Sequence, residues 1–119
     1  MNEFIKKMLE LLPTTYKKYR KSIEDNGKIL ETVVIEDVFM PYIIELLQKN
    51  KNDGLLKSIF GYFEEVSIGD DNQLSNVFSI TVLEILGNDK EVLKTAQKYM
   101  GFETMRLQVE ADKRLGRVL

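Results

Sequence analysis

The sequence predicts an all-α domain, either a compact helical bundle or a short HEAT-like α-solenoid of antiparallel helices, with about six or seven helices in 119 residues. Three observations predict it. Apolar residues recur at intervals of three and four along most of the chain, the period of one helix face. Residues that stop and start helices punctuate that pattern, in Pro13, Asn26-Gly27, "NKNDG", "SIGDD" and "GNDKE". Helices begin near residues 53, 71 and 89, a spacing of eighteen that makes antiparallel hairpins which stack on one another.

The elements follow in order. "NEFIKKMLELL" places Phe4, Ile5, Met8, Leu11 and Leu12 on one face and Lys6 and Lys7 on the other, and Pro13 closes it. "TTYKKYRKSIEDNG" is a mostly polar helix with Tyr16, Tyr19 and Ile23 as anchors and Asn26-Gly27 as its stop. "KILETVVIEDVFM" mixes β-branched residues with near-helical spacing and is expected to be an irregular or partly helical connection. Pro41 suits the first turn of a helix that starts at Asp37 or Met40 and ends at Lys49, with Tyr42, Ile43, Leu46 and Leu47 inward.

Asp53 is the expected cap of a helix that buries Leu55, Leu56, Ile59, Phe60, Phe63 and Val66. Asp70 or Asp71 caps the next, in which Leu74, Val77, Phe78, Ile80, Val82, Leu83, Ile85 and Leu86 surround the axis; such a helix should be buried on nearly all sides. Asn88 or Asp89 starts a helix with Val92, Leu93, Ala96, Tyr99 and Met100 inward. The last helix turns Met105, Val109 and Ala111 in and Arg106, Lys113, Arg114 and Arg117 out. The expected organisation is a single domain over 1–119, with residues 1–36 peripheral and 37–116 forming the core array.

Composition narrows the chemistry. There is no Cys and no His, so disulfides, thiolates, Ser-His and Cys-His nucleophiles and zinc schemes are excluded. Carboxylate, Lys or Tyr chemistry, or a hard cation on Asp and Glu oxygens, is what survives. No signal peptide and no membrane span is expected, and a reducing cytoplasm is the natural location. The net charge of −2 conceals a segregation: +3 over residues 1–28, −8 over 29–91 and +3 over 92–119. An acidic middle repels nucleic acid and attracts a basic protein surface.

"VFMPYIIELL", "LLKSIFGYFEEVSIGDDNQLSNVFSITVLEILGND" and "LKTAQKYMGFETM" together resemble the small bacterial immunity proteins, or antitoxins, encoded beside polymorphic toxins. The resemblance covers roughly residues 38–105, through an aromatic-Glu-Glu helix end, a Gly-Asp-Asp turn, a long apolar helix ending in "ILGND", and "KYMG" after it. It implies an all-helical protein without enzymatic activity or cofactor that neutralises a cognate toxin, often a nuclease, inside the producing cell. The alternative is a helical adaptor in an unrelated bacterial process.

The candidate partner-binding residues are Glu64, Glu65, Asp70 and Asp71, four carboxylates in eight residues without an intervening Lys or Arg, together with Tyr62 and Tyr42 as aromatic anchors. Capping accounts for Asp70 or Asp71. It does not account for Glu64 and Glu65, which lie near a helix C-terminus where the macrodipole disfavours anions. Magnesium among the four carboxylates is a further possibility, but no His, Lys or phosphate loop lies beside it in sequence to give it a reaction. "YKKYRK" has the basic and aromatic mix of a nucleic-acid or lipid surface, and reads more simply as a solvated helix whose lysine stems cover two rings.

Overall fold

A computed structural model of the chain describes residues 2–117. Its helices are α1 (Asn2–Leu11), α2 (Tyr16–Asn26), α3 (31–49), α4 (Asp53–Ile68), α5 (72–86), α6 (Lys90–Gln97) and α7 (Phe102–Arg114), with a 3₁₀ turn at Pro13–Thr15. Strands are absent among the described residues. The fold is all-α, as expected. α3 packs on α6 and α4 packs on α7, so helices three apart in the chain meet. Together with the packing of α1 on α4, such contacts close the helices into a compact bundle.

The segment expected to be irregular, residues 28–40, is helical from Glu31 onward. Within α3, Ile35–Phe39 is wound as π-helix, and the Met40 N–H reaches back to the carbonyl of Ile35. The cause is Pro41. A proline ring inside an α-helix collides with the carbonyl four residues before it, here Asp37, and lacks the N–H to bond it. The wider π turn opens the helix around that carbonyl, so α3 passes through the proline instead of starting at it. The re-phasing also buries three consecutive residues, Val38, Phe39 and Met40.

α5 carries a second π turn, Ser79–Leu83, which packs against the first. It rotates Phe78, Val82, Leu83 and Leu86 into the core and leaves Ile80 57% exposed, so α5 is not buried on nearly all sides. The centre is shared. Phe4 of α1, Phe60 and Phe63 of α4 and Phe78 of α5 form one cluster, with ring centroids 5.1 Å apart for Phe60–Phe63 and 5.2 Å for Phe63–Phe78. Such tilted pairs add about 0.5–1.5 kcal/mol each to the apolar area they bury.

The division at residue 36 does not follow the packing. α1 buries Phe4, Ile5 and Met8, and Leu12 just after it, in the main core, whereas α2 has no buried residue. Of the expected caps, Asp71 and Asp89 act as such: the Asp71 carboxylate accepts from the Leu74 N–H at 3.0 Å, and the Asp89 carboxylate from the N–H groups of Glu91 and Val92. Asp53 does not. Asn52 holds the cap position of α4 in the left-handed region, and the Asp53 carboxylate instead accepts from the Tyr99 hydroxyl at 2.8 Å and pairs with Lys57 at 3.0 Å.

Candidate partner-binding surface

Residues 64 and 65 are neighbours in sequence but stand about 100° apart around α4. That rotation separates their fates. α7 begins at Phe102 after Gly101, a residue with no side chain to satisfy the first N–H groups of the helix. Glu64 takes that role from across the interface: its carboxylate accepts from the Thr104 N–H at 2.8 Å, the Thr104 hydroxyl at 2.8 Å and the Glu103 N–H at 3.0 Å. Partial burial opposes ionisation, but the three donors outweigh it and hold the carboxyl below its ordinary value. Gly101 is required by the same contact, because a Cβ there would stand 2.4 Å from Cδ of Glu64. Glu64 is therefore an internal cap, not a free carboxylate on a docking surface. That corrects its reading as a partner-binding residue, and the helix dipole that made it puzzling at the end of α4 is answered by the positive end of α7.

Glu65 is exposed on the other side, beside Tyr62. The Tyr62 ring is half-buried, 5.7 Å from that of Phe4 and 5.9 Å from the Lys7 ammonium. Burial first, then the negative charges of Glu65 and Glu3, push its hydroxyl pKa up. Asp70 and Asp71 follow in the turn into α5, both exposed, with Ile68 66% exposed beside them. No ion pair among the described residues uses Glu65, Asp70 or Asp71. Tyr42 packs half-buried against the core from α3. The six expected residues thus do not form one site. Glu65, Asp70, Asp71 and Tyr62 lie around the end of α4 and the start of α5; Glu64 serves α7, and Tyr42 belongs to α3. No cluster of three or more metal-ligating side chains exists among the described residues.

The polar residues that sequence reasoning missed lie under α7. Its buried face is Thr104, Gln108, Ala111 and Asp112, not Met105 and Val109. The Gln108 amide donates to the Leu83 carbonyl at 2.9 Å, at the end of the π turn of α5, and to Asp112 at 3.2 Å. Asp112 also accepts from Arg117 at 3.0 Å, and the Arg117 guanidinium reaches Asn88. Gln108 and Asp112 each keep one buried oxygen without a partner among the described residues. The cationic C-terminal segment accordingly turns partly inward: Arg114 bonds Ser79 at 2.9 Å and pairs with Glu84 at 3.4 Å. The available signal was the i, i+4 polar pair Gln108 and Asp112 within an otherwise amphipathic stretch.

With this geometry in view, residues 5–115 match the family model described as Domain of unknown function (DUF7674). The chain belongs to that family. The match runs from the Ile5 face of α1 to the end of α7, so the DUF7674 unit is the whole bundle, including the α1 face that fills the core and the Glu64 cap. No curated protein matches the chain. No solved structure matches it either. No helix among the described residues is long and apolar enough to cross a membrane.

Proposed function

We propose that the protein is a non-catalytic binding protein of the immunity type, which neutralises a cognate protein toxin in the cytoplasm by covering a basic surface on it. The observation that carries this reading is the turn between α4 and α5. Glu65, Asp70 and Asp71 are exposed without a cationic partner among the described residues, and they flank the exposed side chain of Ile68. An apolar residue rimmed by unpaired carboxylates suits the Lys- and Arg-rich groove with which a nuclease holds phosphate, because it presents the substrate's charge together with a desolvated centre. Tyr62 adds a rigid ring at the edge.

The test begins with capture of the partner from the native cell and its identification by mass spectrometry. Glu65→Lys with Asp70→Lys is then expected to lower the association rate about tenfold or more at low salt and to flatten its salt dependence, leaving the fold intact. A partner without a basic surface, or an association rate that the double reversal leaves unchanged, would end this reading.

A further inference from the structure

α7 shows the solvent Phe102, with Met100, Met105 and Val109 half-buried beside it. Phe102 is 81% exposed, the most exposed large apolar residue among those described, and with Met100, Met105 and Val109 it lines a groove of about 590 Å³ that runs along the helix. Arg106, Glu110 and Lys113 form the groove's polar border. Positions 102, 105 and 109 follow the spacing of a helix seam, and the charged positions 103, 106, 110 and 113 lie together on one flank of it. The seam lies roughly 110° around α7 from its buried side, which is Thr104, Gln108, Ala111 and Asp112.

We propose that this face is the interface of a homodimer, in which α7 packs antiparallel against α7 of a second copy about a two-fold axis that crosses the pair at the level of residue 108. The charge order along the flank is the reason to choose a second copy as the occupant. It reads Glu103, Arg106, Glu110, Lys113, that is minus, plus, minus, plus. In an antiparallel pair equivalent flanks meet, and a two-fold axis at position 108 sets Glu103 against Lys113 and Arg106 against Glu110, twice each. Every opposition is of unlike charge. A parallel pair about a two-fold axis would turn the two charged flanks to opposite sides of the seam and leave their charges unmatched.

The apolar parts satisfy the same symmetry. A two-fold interface must be complementary to itself, so both the projecting group and the recess that receives it must lie on one patch. Phe102 projects at one end of the groove, and Val109, Glu110 and Lys113 line the other. The antiparallel arrangement brings each Phe102 ring to the far end of its partner's groove. Within one copy Arg106 already pairs with Glu103 at 3.0 Å and Glu110 at 2.8 Å, but these are half-exposed surface bridges that rearrange at little cost. No ion pair among the described residues uses Lys113. A single helix pair about 20 Å long makes an interface at the small end of the specific range, so a micromolar dissociation constant is expected.

Sedimentation velocity on the full chain, from about 1 to 500 μM, reads this directly. The expected result is a reversible shift from 13.8 kDa toward twice that mass, with Phe102→Asp raising the dissociation constant at least about tenfold. Glu103→Lys and Lys113→Glu are each expected to weaken the dimer several-fold. An equimolar mixture of the two single variants should recover it, because each copy then supplies the charge that the other needs at both pairs. Far-UV circular dichroism establishes that each variant is folded; should Phe102→Asp misfold, Val109→Arg replaces it. Mass that stays at the monomer value over the whole range overturns the proposal. So does a dimer indifferent to the variants, or a mixture no tighter than its components.

Discussion

α4 and α7 lie against each other and solve the same packing problem in opposite ways. α4 buries Leu56, Ile59, Phe60, Phe63 and Val66 and shows Lys57, Gly61 and Glu65 to water. α7 buries Thr104, Gln108, Ala111 and Asp112 and shows Phe102. One helix is held by apolar area, which is non-directional and tolerant of small shifts. The other is held by directed bonds: Glu64 on its first turn, the Ser67 hydroxyl 2.9 Å from that of Thr104, and the Gln108 amide on the Leu83 carbonyl. The difference teaches that α7 is positioned more than it is adhered. Its rotation is fixed by bonds that exist at one setting only, and a fixed rotation is what an outward apolar face needs if it is to meet a partner in register.

Phe63→Ala, on the apolar side of the comparison, should have the largest effect, about 3–5 kcal/mol by chemical denaturation, because it removes the ring shared by Phe4, Phe60 and Phe78. Glu64→Ala should cost less, about 1–2 kcal/mol, the scale of a lost cap. Gly101→Ala should cost a similar amount, since its methyl would displace the same carboxylate while its φ of −77° is comfortable for alanine. The pair should be far from additive: with Glu64→Ala already present, Gly101→Ala should cost almost nothing. Additive losses would mean that Gly101 is required for another reason.

Acidity tests the same bond without mutation. Because the folded state lowers the Glu64 pKa, the folded protein binds fewer protons than the unfolded chain between the two values, and the cap contributes fully only above the unfolded one. Its contribution should disappear as the pH falls below about 4.3 and through the lowered folded value. Wild type and Glu64→Gln should therefore converge in stability on acidification. A gap that stays constant with pH would leave the carboxylate's charge out of the account.

Legibility in the sequence follows the same divide. Helix periodicity, the stop at Gly27, where φ is 72°, and, to within one residue, the caps at Asp71 and Asp89 were readable, because each is a local rule. The π turns were not. Pro41 signals a helix start when read alone, and only the packing of α3 through it reveals that the helix continues. Glu64 was visible as an anomaly, an anion at the wrong end of a helix, and its explanation lies in a helix that begins 38 residues later. α7 misled for a plain reason: turning Met105 and Val109 inward is the default of the hydrophobic effect, and Gln108 and Asp112 overrode it through partners on α5 and beyond α7.

The smallest expected effect sharpens the comparison most. Phe63 and Phe102 are the same side chain on two helices in contact, one fully buried and one almost fully exposed. Measured at a concentration low enough to keep the chain monomeric, Phe102→Ala should change stability by no more than about 0.5 kcal/mol in either direction, since an exposed ring has no buried area to lose. The ratio to Phe63→Ala then reads directly how far burial, and not residue type, sets the energy. A loss of 2 kcal/mol or more from Phe102→Ala would show that the ring packs within its own chain in solution. That result would remove the inversion of α7 on which its contrast with α4 depends.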